Sequence, residues 1–328
     1  MAVDSRPRLL SYCWPTYVVL CLLAWVVLVA QPGTWALAVA HWPMALVMVG
    51  GSMVAGSTPM GGGTVAFPVL VLGFGYAPSM ARDFGLAIQS VGLTSALLFI
   101  VGRGIPVERR LLLWSTAGAV AGMMLGTFVL VGRVQADSVK LLFATMWATF
   151  GLWMVSRTTA GVAAEPREPI DAARVPVIGL LAGLVGGAMA ALIGVGVEMV
   201  VYATLVLRFG WGPRAAVPTA VCAMGIAAPI GLLLRAATSG IDPGVFPEWI
   251  AAAPVVIFGA PAGAYLATRM SRVVLLRTIG ILVLVQFAAT INQVRPTPMV
   301  WAGVLALAAC SAVGLWLLAP SERSSSAA

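Results

Sequence analysis

Charge is scarce in this chain: Asp, Glu, Lys and Arg make up 9% of its 328 residues, against 61% hydrophobic residues and a mean hydropathy of +1.01. So little polar surface excludes a water-soluble globule of this size. The charges are also unevenly spread. The 73 residues between Arg8 and Arg82 contain none, and further charge-free runs cover 84–102, 111–132, 175–197, 215–234, 249–268, 278–294 and 296–321. Most approach or exceed the ~20 residues that cross ~30 Å of hydrocarbon as helix. Continuous Leu, Val, Ala and Ile, without alternation over ~10-residue segments, excludes a β-barrel.

Metal- and redox-active residues are equally sparse. His41 is the single histidine, and Cys13, Cys21, Cys222 and Cys310 stand far apart in apolar stretches. No spacing suggests a zinc site or a redox couple, so the cysteines are read as packing residues and His41, beside Trp42, as interfacial. A glycine-lysine phosphate loop is missing too, which argues against direct use of ATP by this chain. No cofactor is implied, and nothing resembles the nucleophile or metal cluster of an intramembrane enzyme.

What the chain does have, it has twice. Leu70-Val71-Leu72-Gly73-Phe74-Gly75-Tyr76-Ala77-Pro78 recurs 135 residues later as Leu205-Val206-Leu207-Arg208-Phe209-Gly210-Trp211-Gly212-Pro213, with six identities in nine positions. Each copy follows a glycine cluster that interrupts an apolar stretch: Pro59-Met60-Gly61-Gly62-Gly63-Thr64 and Gly194-Val195-Gly196-Val197-Glu198. Hydrophobic segments broken by Gly or Pro at corresponding positions of two halves point to the binding site of a carrier.

Twelve segments are expected, at 14–30, 43–59, 63–76, 79–102, 110–132, 139–156, 176–193, 197–208, 213–235, 248–268, 273–291 and 299–318. Segments 63–76 and 197–208 are too short to span and read as half-helices facing protein or a cavity. The polar interval 157–175 reads as a linker. The expected organisation is a polytopic all-α membrane protein. It comprises an N-terminal region with an extra helix (1–42), repeat 1 (43–156), the linker, repeat 2 (176–291), and a C-terminal helix and tail (292–328). Arg6 and Arg8 before an apolar core, with Ala38-Val39-Ala40 beyond it, have some features of a signal peptide. The core is long for one, however, and an uncleaved first helix is the simpler reading.

Five segments per half is an odd number, which inverts the second repeat relative to the first. The parity is the same if each glycine-broken pair is re-entrant. With the N-terminus inside, fourteen of the 19 basic residues face the cytoplasm and five face out: Arg82, Arg133, Lys140, Arg235 and Arg295. Both termini and the linker are thus expected inside. The net charge of +8 is mostly topological and is no evidence for a nucleic-acid partner.

The substrate site is expected at the breaks. Pro59 removes a donor, Gly61, Gly62 and Gly63 let backbone approach a ligand, and a helix starting near Thr64 points its first N–H groups into the gap. Gly194 and Gly196 repeat the arrangement. Two helix starts approaching from opposite sides would enclose one small anion near the bilayer midplane. Ser57, Thr58, Gln89 and Thr219 are candidate lining residues, with interhelical hydrogen bonding as the alternative role. Gly118, Gly122, Gly126, Gly259 and Gly263 read as packing positions.

Glu198 is the carboxylate placed inside a predicted membrane segment, where an ionised group is costly unless paired or hydrated. It is expected to face a cavity and to exchange a proton, with a structural hydrogen bond as the alternative. Arg82-Asp83 and Arg214 stand at helix starts, as gate residues or plain boundary charges.

Met60-Gly61-Gly62-Gly63-Thr64-Val65-Ala66-Phe67-Pro68-Val69-Leu70, with Ile193-Gly194-Val195-Gly196-Val197-Glu198, resembles the signature of the TauE/SafE sulfite-exporter family over about 45–291. Val197-Glu198 departs from it, standing where the family commonly continues the glycine run. The resemblance implies a secondary carrier in the bacterial plasma membrane, exporting sulfite or a small organosulfonate. A channel or a cation-coupled uptake permease for a small carboxylate or sulfur compound is the alternative on the same scaffold.

Overall fold

A computed structural model describes residues 8–135, 138, 141–142, 144–149, 151–152, 173–269, 271–294 and 298–318. Much of the segment expected at 139–156, and the linker up to residue 172, lie outside the described residues. Among those described, the regular structure is helical. In chain order the helices are α1 (Arg8–Val29), α2 (Thr34–Ala40), α3 (Trp42–Ser57), α4 (Gly63–Pro68), α5 (Pro78–Arg103), α6 (Arg109–Leu125), α7 (Val175–Ile193), α8 (Val197–Ala203), α9 (Pro213–Thr238), α10 (Val245–Arg269), α11 (Arg272–Val294) and α12 (Pro298–Leu318). Six described helices are long and apolar enough to cross a membrane, or seven if the bent pair α2 and α3 forms one span.

The sequence repeat is a repeat of structure at the same 135-residue offset. α4 and α8 each run into a π-helical turn, Val69–Gly73 and Thr204–Arg208. Pro68 precedes the first turn and Ala203 the second, so a missing proline amide is not its common cause. Each turn closes alike: Tyr76 N–H donates to Leu70 O (2.9 Å) and Trp211 N–H to Leu205 O (3.0 Å). Gly75 (φ 75°) and Gly210 (φ 65°) supply the left-handed residue this reversal needs. Pro78 and Pro213 then open α5 and α9 at the position where a missing N–H does no harm.

α5 and α9 form the centre and run antiparallel. Thr94 Oγ1 donates to Gly225 O (2.9 Å), while at the other end Arg235 meets Asp83. The outer pairs cross between halves: α3 packs on α10 and α6 on α7. Both crossings depend on small residues. A Cβ on Gly118 or Gly122 would overlap the carbonyls of Leu180 and Leu184, and one on Gly183 or Gly187 those of Ser115 and Ala119. Likewise Gly56 lies against Ala260 O, Gly263 against Met53 O, and Gly259 against Ser52 Oγ. Close backbone approach of this kind is how helices associate where apolar burial supplies no drive. The packing role expected of these glycines is what the structure shows.

α1 lies along α5 and α10, held by Trp14 Nε1 to Ser95 Oγ (3.0 Å), Tyr17 OH to Val91 O (3.2 Å) and Trp25 Nε1 to Ile250 O (2.7 Å). Its other side exposes Leu20, Leu23 and Val27, as a lipid-facing surface would. One element was not expected. Ala38-Val39-Ala40 belong to α2, which joins α3 through a 64° bend at His41. The bend is fixed from outside, because His41 Nδ1 and Tyr76 OH both lie 2.9 Å from Glu248 Oε1 on α10.

Candidate functional site

The first break begins where α3 stops. Thr58 turns extended (φ −134°, ψ 160°), its hydroxyl donates back to Val54 O (2.8 Å), and it accepts from Met60 N–H (3.3 Å). Gly61 (φ 69°) then takes a conformation that side chains disfavour. In α4 the first intrahelical bond is Ala66 N–H to Gly62 O (3.1 Å), so the N–H groups of residues 63–65 precede the ladder. The second break is built alike. Gly194 (φ 80°) ends α7, Gly196 (φ 140°) precedes α8, and Val200 N–H to Gly196 O (3.1 Å) opens the ladder.

The fold brings these two breaks into contact. A Cβ on Gly63 would overlap Val195, and one on Gly61 would overlap Glu198 Oε1 and lie 2.7 Å from Gln89 Oε1. Gly194 is as tightly placed, against the carbonyl of Arg82. Gln89 reaches across from α5: its Nε2 donates to Gly85 O (2.9 Å) and to Gly194 O (2.8 Å). Glu198 Oε2 accepts from Gly196 N–H (3.4 Å). Gln89 and Glu198 are both 1% exposed. Neither Gln89 Oε1 nor Glu198 Oε1 has a hydrogen-bond partner among the described residues.

Beside the breaks lies a small cavity lined by Met48, Ser52, Ala55, Gly62, Gln89 and Val256, among others. Its volume of about 10 Å³ is close to a single water position. An oxyanion of four heavy atoms does not fit, so in this conformation the breaks are closed on each other.

The remaining candidates fall in different places. Gly61, Gly62, Gly63, Gln89, Gly194, Gly196 and Glu198 converge. Ser57 and Thr58 stand at the end of α3, with Ser57 Oγ and Thr58 Oγ1 both turned back to Val54 O. Thr219 is engaged elsewhere: it accepts from Glu108 N–H (3.0 Å), in the connection between α5 and α6. The side chains of Thr64 and Arg214 lie outside the described residues.

Arg82 is part of a cluster that reading along the chain did not bring together. Arg82 Nε (2.8 Å) and Arg235 Nε (3.1 Å) both donate to Asp83 Oδ1. Arg235 Nη2 (3.4 Å) and Asp242 N–H (3.3 Å) donate to Asp83 Oδ2, and Arg235 also bonds Ser239. Asp83 is 1% exposed. It therefore anchors the start of α5 to the end of α9, and the acids within the membrane region are not limited to Glu198. The available sequence signal was a sign-matched pair, Asp83 and Arg235, at opposite ends of two equivalent helices.

The chemistry of the convergent set is distinct. Two helix starts supply N–H groups, glycines supply backbone access, and a buried amide and carboxyl supply the polar side chains. A family model described as Sulfite exporter TauE/SafE matches residues 44–291, a stretch that runs from the first turn of α3 into α11 and contains both breaks. No curated protein and no solved structure gives a match.

Proposed function

The chain belongs to the sulfite exporter TauE/SafE family, and on that premise we propose that it is a secondary carrier. In this reading it moves a small anion, sulfite or an organosulfonate, outward across the bacterial plasma membrane. The observation that carries the proposal is the meeting of two glycine breaks, one from each half, beside Gln89 and Glu198. A substrate bound there would be held by helix starts and backbone N–H groups instead of by a basic side chain. That suits a buried site from which the ion must also leave.

The halves are read as inverted repeats. The reciprocal crossings, α3 on α10 and α6 on α7, support this, since a two-fold relation exchanges one for the other. The asymmetry of basic residues supports cytoplasmic termini. Exposure of the site to either side in turn requires the closed breaks to part, because the neighbouring cavity is too small for the ion. Glu198 is read as the group that couples this movement to protons.

Thermal unfolding of the purified protein with sulfite, sulfate, sulfoacetate, taurine or small carboxylates tests the proposal. A ligand at 100 times its Kd stabilises by about 2.7 kcal/mol, so the true substrate should stand out as a raised Tm. Saturable flux with counterflow of the same anion should follow. A flat response to every anion, or flux without saturation, would contradict it.

A further inference from the structure

We propose that Glu198 carries a proton in this conformation and donates it in a hydrogen bond to Gln89 Oε1, so that the pair forms a proton site tying α8, after the second glycine break, to α5 beside Gly61 of the first. The use made of that proton in transport rests on the carrier reading; the site rests on geometry.

The orientation of the Gln89 amide is fixed. Its nitrogen lies 2.9 Å from Gly85 O and 2.8 Å from Gly194 O, and both are acceptors that only an NH₂ group satisfies. The amide oxygen must therefore point the other way, toward the place a Gly61 side chain would fill, 2.7 Å from that point. Glu198 Oε1 overlaps the same point. Two buried acceptor oxygens thus converge beside Gly61, and neither finds a donor among the described residues.

A carboxylate would leave this arrangement repulsive and uncompensated, because a buried anion needs a partner charge or a set of donors. A proton on Oε1 turns it into a donor–acceptor pair. The remaining oxygen keeps its bond from Gly196 N–H (3.4 Å) in either state. The start of α8 favours a negative charge, but a helix of seven residues offsets only part of the burial penalty.

Among the described residues, no surrounding element supplies a cation in place of the proton. On α5 the charged groups are Arg82 and Asp83, paired with each other, and Arg103 in the last turn, over the Phe99 ring; Arg235 of α9 is turned to the same Asp83. α9 otherwise carries Cys222 and Arg214, the latter with a side chain outside the described residues. α7 and α4 hold no titratable residue, and α8 adds only Tyr202, one turn beyond Glu198. When the proton leaves, the O–H electron pair stays on Glu198 and the proton passes to water. The facing oxygens then repel, and α8 loses this tie to α5 beside Gly61, while the bond from Gln89 Nε2 to Gly194 O remains. Proton release therefore weakens the closed contact, and the neutral side chain holds it by one hydrogen bond that can also break with the proton in place.

Infrared spectroscopy of the full-length protein in liposomes tests this. The expected result is a protonated-carboxyl C=O band at neutral pH that moves in D₂O, disappears in Glu198→Gln, and shifts in Gln89→Met, where the acceptor is gone. If Gln89→Met does not fold, Gln89→Asn, which withdraws the amide by one methylene, should shift the same band. A purely structural Gln89 would lower stability and leave the band unmoved. The proposal is overturned by a band absent from the wild type, by one unaffected by either substitution, or by one seen only once sodium is removed, which would place a metal cation between the oxygens. Anion flux on the same liposomes separates the two readings. Flux without the band refutes the proton pair alone, and the band without flux refutes the carrier alone.

Discussion

Gln89 and Gly194 are joined by a 2.8 Å hydrogen bond across 105 residues of sequence, which ties the central helix of one half to the glycine break of the other. Because the bond ends on a backbone carbonyl, it fixes the position of the break whatever side chains surround it. The first break is fixed more by space than by bonding, and its glycines are not equivalent.

Gly61→Ala should destabilise and inactivate. Its φ of 69° costs an L-residue about 1–2 kcal/mol, and the added Cβ would overlap Glu198 Oε1. Gly62→Ala, with φ −67° and its nearest neighbour at 3.5 Å, should change stability by no more than about 1 kcal/mol and retain transport. Gly62→Leu should lower Tm and fail to transport, since its four-carbon side chain exceeds the single-water cavity lined by Met48 and Gln89. Tm and anion flux measured on all three check the order.

Asp83→Asn should be among the most damaging single changes outside the breaks. It leaves Arg82 and Arg235 buried without their shared counter-charge, and breaking such a set costs about 3–5 kcal/mol. Arg82→Met, which leaves Asp83 paired with Arg235, should cost less. Chemical denaturation of the variants, with Asp83→Asn/Arg235→Met as the double mutant, measures the coupling; strict additivity of the two single effects would show that the pair is not interacting.

The two inter-half crossings should respond alike to added bulk. Gly122→Val drives a side chain into Leu184 O, and Gly263→Val into Met53 O. Each should lower Tm and the yield of folded protein, while Gly303→Val, with open space around it, should not. A tolerated change at one crossing and a severe one at the other would contradict equivalent packing.

The orientation is checked by labelling single cysteines in a cysteine-free background. Ala163→Cys, in the linker, should be protected from an impermeant reagent added outside, and Ile241→Cys, in the connection between α9 and α10, should react. The reverse pattern would invert the assignment.

Much of this was readable from residues alone, because in a membrane the breaks are written as composition. Glycine and proline are out of place in an apolar helix, and at a 135-residue offset they mark equivalent positions in both halves. Glu198 was conspicuous for the same reason. What the sequence could not convey was which residues of the two breaks would touch. Glu198 aligns with Gly63, yet it lies against Gly61, since contact is set by how α4 and α8 cross. Asp83 read as a gate or boundary charge and Arg235, 152 residues away, as one of the outward-facing basic residues, because nothing local shows that the connection after α9 covers the start of α5. α2 was missed for a related reason: its seven residues are bent at His41 and held through Glu248, a partner on a distant helix. Thr219 looked like a lining residue by its place after Pro218, but its hydroxyl serves the connection before α6.

The most direct test of the account is the flux of Glu198→Gln in proteoliposomes, measured both as counterflow and as transport driven by a pH gradient. The amide has the shape of the neutral acid and can donate to Gln89 Oε1, so binding and counterflow should persist. Transport driven by the pH gradient should be lost, because the side chain no longer gains or loses a proton. Unchanged pH-driven flux in this variant would contradict the account and leave Glu198 as a hydrogen-bond partner of Gly196 alone.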